Sequence, residues 1–275
     1  MAEECDVILQ WYAGSEGFKR ALSGLSRPYK LISMPSGPGT SYKSQVESKW
    51  PNSIQGFIQT KLPGIRPLRV ALIGFSEGCA GVREFLRCGD GGRVDAALAF
   101  DGIHTTWTDK SKTNLVTSKL APWRAFGKLA MNEGRLCLIT TSAIVPDFVS
   151  TTITSDWIWN HVTGTSEPFH DQEGPDVQAL WQAPISPPFV NPAGEKRTPD
   201  GSVEFRWGET VYDHFPTTLY RRAGGLVIWN FQNLDKTGIG DHRLQAGPVE
   251  ERWISEYLVS RWNSVDPRSS PCLVV

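Results

Sequence analysis

A serine flanked by glycines lies where the chain is predicted to turn from a strand into a helix. The five residues are Gly74-Phe75-Ser76-Glu77-Gly78, and they follow the apolar run at 68–75. A tight turn of this kind holds a serine in strained backbone geometry, with its hydroxyl projecting above the sheet. Side chains at the two glycines would collide across the turn. We interpret Ser76 as a nucleophile; the alternative is a glycine-rich turn whose serine caps the helix.

The elements that must position this serine are predicted from apolar runs that alternate with helical stretches. Strands apolar throughout and separated by helices are typical of a mainly parallel sheet with helices on both faces. The sequence therefore predicts a single α/β domain over 1–275. The predicted strands are 7–12, 29–34, 68–75, 94–100, 136–141 and 225–230, and the predicted helices lie near 17–25, 43–61, 77–88, 118–133 and 248–262.

Residues 143–223 interrupt this alternation. They are rich in Pro, Thr and Trp, with four prolines between 184 and 192. Because a structureless loop of this length is uncommon in a compact domain, we predict an insertion with short elements of its own, forming a cap or lid. Its tryptophans favour a hydrophobic or ring-bearing substrate, although they could equally fill core and surface. They are Trp157, Trp159, Trp181 and Trp207.

The strand-turn-helix at 68–88 resembles the signature of the α/β-hydrolase superfamily. Gly240-Asp241-His242 resembles that family's histidine loop, since it follows the last predicted strand and precedes the last helix. The resemblance implies the chain order serine, acid, histidine. On that order His242 is the general base for Ser76. His104 is the second candidate, because it follows the strand next to the glycine-flanked serine.

The acid is predicted from the ends of the strands. Asp101 directly follows the apolar strand at 94–100, and a residue at the carboxyl end of a parallel strand faces the crevice where ligands bind. The resemblance makes Asp147, after the next strand, the commoner position, and Asp156 lies further along. Residues 142–146 separate Asp147 from its strand, and the glycine-rich turn that is usual there is missing. We favour Asp101, for which the alternative role is a turn cap before Gly102.

The same resemblance implies an oxyanion hole made of two backbone N–H groups. One is expected from Glu77, the residue after the nucleophile, and the other from Ala13 or Gly14 after the first strand. The expected activity is that of a serine esterase, which cleaves a small-molecule or polymeric carboxylic ester through an acyl-enzyme. The alternatives are an acyltransferase or peptidase with the same triad, and a non-catalytic relative that binds a ligand or partner.

Composition limits the remaining possibilities. A formal net charge of −1 gives no basic field for nucleic acid. No histidine pair has zinc-binding spacing and no phosphate-binding loop is present, so neither a metal nor a cofactor is expected. Five cysteines without a CxxC pair favour a reducing compartment. The acidic N-terminus and the absence of a long apolar run predict no signal peptide and no membrane span, and hence a cytoplasmic protein.

Overall fold

The chain is seen in a computed structural model. It describes residues 2–11, 16–35, 42, 54–87, 93–108, 110, 114–142, 149–165, 196–197, 203–207, 210–212, 218–231, 242, 245 and 248–267.

Ten strands and seven α-helices are found in these described residues. The strands are β1 Glu3–Trp11, β2 Tyr29–Met34, β3 Ile65–Phe75, β4 Ala96–Phe100, β5 Leu136–Ser142, β6 Lys196–Arg197, β7 Val203–Trp207, β8 Thr210–Tyr212, β9 Thr218–Ala223 and β10 Leu226–Phe231. The helices are α1 Glu16–Ser23, α2 Ile54–Lys61, α3 Cys79–Arg87, α4 Ala121–Glu133, α5 Thr151–Thr163, α6 Pro248–Trp253 and α7 Ser260–Ser264. A π-helical segment, Ile254–Val259, joins α6 to α7, and the three together are called the C-terminal helix.

The main sheet has seven strands in the order β2-β1-β3-β4-β5-β10-β9. All neighbouring pairs are parallel except β9 and β10, which are antiparallel. The described chain is therefore an α/β fold built on a mostly parallel sheet, as the alternation of apolar runs predicts. A separate three-stranded sheet contains β6, β7 and β8.

The central strands β3, β4 and β5 bury both of their faces, which explains why their sequences are mainly apolar. In β3, Val70 and Leu72 belong to the apolar cluster that also includes residues of α2, α3, α4 and α5. Ala71 and Ile73 belong to the second cluster, with residues of α1 and the C-terminal helix. Because successive side chains of a strand point to opposite faces, the two clusters lie on opposite sides of the sheet.

The strand order reverses at β1. The chain passes from β1 to β2 on one side and then returns to place β3 on the other side of β1. In open parallel sheets, ligands bind outside the carboxyl ends of the strands at such a switch point. The carboxyl ends of β1 and β3 are Trp11 and Phe75, so Ser76, directly after β3, lies at this position.

The main layers include two elements from the range predicted as an insertion. Helix α5 contributes Ile158 and Val162 to the first apolar cluster, and β9 forms the edge of the main sheet. The indole rings of Trp157 and Trp159 pack partly buried against the same cluster. At least these two tryptophans therefore cover the sheet. Helix α5 and strand β9 therefore belong to the main layers, although both fall within the range 143–223.

None of the helices in the described part of the chain is long and apolar enough to cross a membrane.

Candidate active site

Ser76 lies at the junction between β3 and a single 3₁₀ turn, Ser76–Gly78, that leads into α3. Its φ of 51° is in the left-handed region, which is unfavourable for a residue with a side chain. Close packing fixes this turn. A Cβ on Gly74 would lie 2.9 Å from the Cα of Cys79, and a Cβ on Gly78 would overlap the carbonyl oxygen of Trp11. The two glycines thus allow the chain to turn sharply enough to present Ser76.

Asp101 follows β4 and has the second positive φ found for a non-glycine residue in the described chain, 45°. Its residue is only 1% exposed, and its backbone N–H donates to the carbonyl of Thr140 at 2.9 Å. A Cβ on Gly102 would overlap the carbonyl oxygen of Ser76. The turn after Asp101 therefore passes directly against the turn that carries Ser76.

His242 connects these two residues. Its Nδ1 lies 2.6 Å from Asp101 Oδ2, and its Nε2 lies 3.0 Å from Ser76 Oγ. In the tautomer with the proton on Nδ1, the ring donates to the carboxylate and accepts from the serine hydroxyl. The ring also packs against Phe75, with centroids 4.8 Å apart. Ser76, His242 and Asp101 thus form a hydrogen-bonded row. The His242 side chain is 33% exposed to solvent, whereas that of Asp101 is 2% exposed.

The other acidic candidates lie elsewhere. Asp156, on α5, has its Oδ1 3.7 Å from Arg221 Nη1. Burial raises the pKa of Asp156 to about 7, and the charge of Arg221 lowers it only in part. Asp147 lies outside the described residues. Among the described carboxylates, Asp101 is the one hydrogen-bonded to His242.

His104, the second candidate for the base, lies near Asp101. Burial lowers the pKa of His104 to about 4, and the charge of Asp101 opposes that shift only in part. Its imidazole is therefore neutral at pH 7. His161 lies on α5, where its Nδ1 is 2.7 Å from the carbonyl of Trp157 and its ring stacks on that indole.

The expected oxyanion donors are described only in part. Glu77 lies in the first helical turn after β3, where backbone N–H groups have no acceptor within the helix. Ala13 and Gly14 lie outside the described residues. Trp11, the last residue of β1, packs against α3, since a Cβ on Gly81 would overlap its indole. The end of β1 is thus held against the helix that begins after Ser76.

One residue of the site was not predicted from sequence. Thr151, the first residue of α5, donates its hydroxyl to Asp101 Oδ1, and both residues are buried. Thr151 lies 50 positions after Asp101. No local pattern in the sequence relates a threonine to an acid at that separation.

No group of three or more His, Cys, Asp or Glu residues that could hold a metal ion occurs among the residues the structure describes. The cysteines in that part of the chain, Cys5, Cys79 and Cys137, are buried and unpaired with one another.

Comparisons with protein-family models, with curated proteins and with solved structures found no match to this chain.

Proposed function

We propose that this chain is a serine hydrolase of the α/β-hydrolase type, which cleaves a carboxylic ester through an acyl-enzyme. One observation carries the proposal: the hydrogen-bonded row Ser76–His242–Asp101, with the serine at a φ of 51° directly after a central parallel strand. A nucleophile, a base and an orienting acid in this arrangement are what activation of a serine requires.

In the first half of the reaction, Ser76 Oγ attacks the carbonyl carbon of the ester, and His242 Nε2 takes its proton. Asp101 keeps the Nδ1 proton on the far side of the ring and stabilises the imidazolium, without itself becoming protonated. The tetrahedral oxyanion is bound by the N–H of Glu77 together with a donor from the loop after β1. Collapse expels the alcohol, which receives the proton from Nε2.

In the second half, a water molecule attacks the acyl carbon, and His242 again accepts the proton. The tetrahedral intermediate collapses, the acid product departs and Ser76 Oγ recovers its proton. The exposed third of the His242 side chain supports this step, because the ring that must activate water is open to solvent while the acid behind it is not.

The fold supports the α/β-hydrolase assignment in three respects. Ser76 follows β3 at the point where the strand order reverses, which is where parallel sheets bind ligands. The chain order is serine, acid, histidine, and His242 falls between β10 and the C-terminal helix. The helix that begins after the serine directs its positive end toward the place where an oxyanion would form.

The test is covalent labelling by a fluorophosphonate, followed by an ester panel of graded acyl length. We expect one phosphonate per chain, located on the peptide that contains Ser76, and none on a folded Ser76→Ala variant. The ester panel gives the acyl preference. Competing alcohols or amines in the assay separate a hydrolase from an acyltransferase. A wild-type chain that is folded but takes up no phosphonate would contradict the proposal and favour a non-catalytic binding protein.

A further inference from the structure

We propose that Thr151 is a positioning residue for the acid of this site, fixing the Asp101 carboxylate so that one oxygen faces His242. The inference rests on the proposed function, because it assigns a role within the same hydrogen-bonded row. The hydrogen-bonded row then has four members, which are, in the order of their contacts, Ser76, His242, Asp101 and Thr151.

The two oxygens of Asp101 have different partners. Oδ2 lies 2.6 Å from His242 Nδ1, and Oδ1 accepts the hydroxyl of Thr151. A carboxylate held at one oxygen only can rotate about its last bond, whereas a donor at each oxygen fixes the plane of the group. Thr151 therefore determines which way Asp101 presents Oδ2, and with it the orientation of the imidazole.

Two further bonds attach the segment after Asp101 to the beginning of α5. Thr154 donates its hydroxyl to the carbonyl of Ile103 at 2.8 Å, and the N–H of Val149 donates to the carbonyl of Thr105 at 3.4 Å. These bonds engage backbone carbonyls and leave the carboxylate untouched. Docking of the two segments and orientation of the acid are thus carried by different side chains, which makes them separable by mutation.

The environment of Thr151 makes its hydroxyl hard to replace. Thr151 is fully buried, with no exposed surface, and Asp101 is 1% exposed, so few water molecules can take over the bond. Ser150 caps α5 by accepting from the N–H of Ile153, which sets the first turn in place. The hydroxyl also reaches the carboxylate from the N-terminal end of a helix, the end that favours negative charge.

The experiment compares three buried threonine variants of the full chain in hydrolysis of p-nitrophenyl acetate. Thr151→Val removes the hydroxyl at nearly constant volume, and Thr151→Ser retains it. Thr154→Val is the matched control, because Thr154 is equally buried on the same helix but donates to backbone carbonyls. We expect Thr151→Val to lower kcat about 10- to 100-fold, as a small misplacement of a catalytic group does, with KM within about twofold. Thr151→Ser and Thr154→Val should keep kcat within about threefold.

Two results would overturn the inference while leaving the proposed function intact. One is a Thr151→Val protein with wild-type kcat, and the other is an equal loss of kcat in Thr154→Val, which would indicate a structural effect. If Thr151→Val does not fold, Thr151→Cys supplies the test, since its weak S–H donor should give a kcat below that of Thr151→Ser. A wild-type chain that hydrolyses no ester and takes up no phosphonate overturns the proposed function itself, and with it this role of Thr151.

Discussion

Buried charged groups lie toward both ends of the parallel strands, which are called here the amino-terminal edge and the carboxyl edge of the main sheet. The partners of these groups differ between the two. At the amino-terminal edge, Arg69 binds Asp6 with two hydrogen bonds, its Nε to Oδ1 at 2.9 Å and its Nη2 to Oδ2 at 2.5 Å. Its Nη1 donates to the carbonyl of Trp262 at 2.6 Å. Both charged side chains are at most 4% exposed. At the carboxyl edge, Asp101 is equally buried, but its partner His242 is 33% exposed and contacts a serine in a strained conformation.

The difference lies in what the charged groups can still do. The guanidinium of Arg69 offers only hydrogen-bond donors, and these are directed at the carboxylate and at the end of the C-terminal helix. This pair can stabilise the fold and cannot transfer a proton. The imidazole of His242 can gain and lose a proton, and it is held between an acid and a hydroxyl. Burial with matched partners thus favours stability at the amino-terminal edge, whereas the proposed function assigns proton transfer to the partly exposed histidine at the carboxyl edge.

The largest effect is expected from Ser76→Ala. Removing the hydroxyl should abolish phosphonate labelling and lower ester kcat about 10⁴- to 10⁶-fold, the usual cost of losing the nucleophile of a triad. Labelling with intact-mass measurement and circular dichroism checks both activity and fold. Ser255→Ala is the control, since the Ser255 hydroxyl donates to the backbone carbonyl of Glu251 within the C-terminal helix. Turnover at the wild-type rate in folded Ser76→Ala would contradict the mechanism.

The second prediction compares two histidines near the same carboxylate. His242→Ala should lower kcat by several orders of magnitude, because it removes the base that takes the serine proton. His104→Ala should have a much smaller effect, because the pKa of His104 is lowered to about 4, which makes its imidazole a weak base, and because it is His242 Nε2 that lies 3.0 Å from Ser76 Oγ. Ester kinetics on the two variants at pH 8 give the comparison. If His104→Ala is inactive and His242→Ala is not, the assignment of the base is wrong.

The third prediction separates the acids. Asp101→Asn should lower kcat about 10³- to 10⁴-fold with little change in KM, because the amide favours the wrong tautomer of His242. Asp156→Asn should be mild, because Asp156 faces Arg221. Asp147→Asn should also be mild. Steady-state kinetics of all three variants decide between them, and a severe loss in Asp147→Asn would move the acid to the commoner family position.

These site residues differ in how far the sequence could predict them. Ser76 and Asp101 each directly follow an apolar run. Because the strands are parallel, their carboxyl ends lie on the same side of the sheet. His242 could be selected by its place before the last helix. Their proximity in space follows from the parallel arrangement of the strands. A pattern of buried strands that alternate with helices predicts such an arrangement. The contact between Thr151 and Asp101 depends on how α5 docks, and no periodicity encodes that.

Helix α5 and strand β9, which lie within the predicted insertion, show a second limit to prediction from sequence. The buried face of α5 contains Thr151, Thr154 and Ser155 beside Ile158 and Val162, so it has no continuous apolar stripe. Sequence reasoning looks for such a stripe, and here hydroxyl groups take its place because they bond backbone carbonyls and neighbouring side chains. Strand β9 is an antiparallel edge strand with two arginines, which lacks the apolar run of a central strand.

The fourth prediction concerns the amino-terminal edge. Arg69→Met should lower the free energy of unfolding by about 3–5 kcal/mol, because it leaves the Asp6 carboxylate buried without its counter-charge. Arg66→Met is the matched control on the same strand. Arg66 pairs with Glu4 at 3.2 Å, but both side chains are at least 40% exposed, and such pairs contribute only about 0–1 kcal/mol. Urea denaturation measures both. An equal loss of unfolding free energy in the two variants would contradict the distinction between the buried ion pair and the exposed one.

The last prediction concerns the pH dependence of stability that arises from Glu250, at the start of the C-terminal helix. Its neighbour Glu251 accepts two hydrogen bonds from Arg20, whereas Glu250 Oε2 is buried without a hydrogen-bond partner among the described residues. Burial, and secondarily the charge of Glu251, raise the pKa of Glu250 to about 8. The folded chain therefore holds this proton more tightly than the unfolded chain, in which the carboxyl group titrates at about 4.3.

Because the folded state binds more protons in that interval, the contribution of Glu250 to stability is fully present below about pH 4.3 and is lost as the pH rises toward 8. A displacement of even one pKa unit contributes about 1.4 kcal/mol. Glu250→Gln carries no ionisable group at this position, so its urea midpoint should fall less than that of the wild type between pH 5 and 8. Glu251→Gln, which removes only the smaller of the two causes of the raised pKa, should retain most of the wild-type slope. A wild-type midpoint that does not change over this range, or a Glu250→Gln protein with the same decline, would contradict the burial of a protonated Glu250.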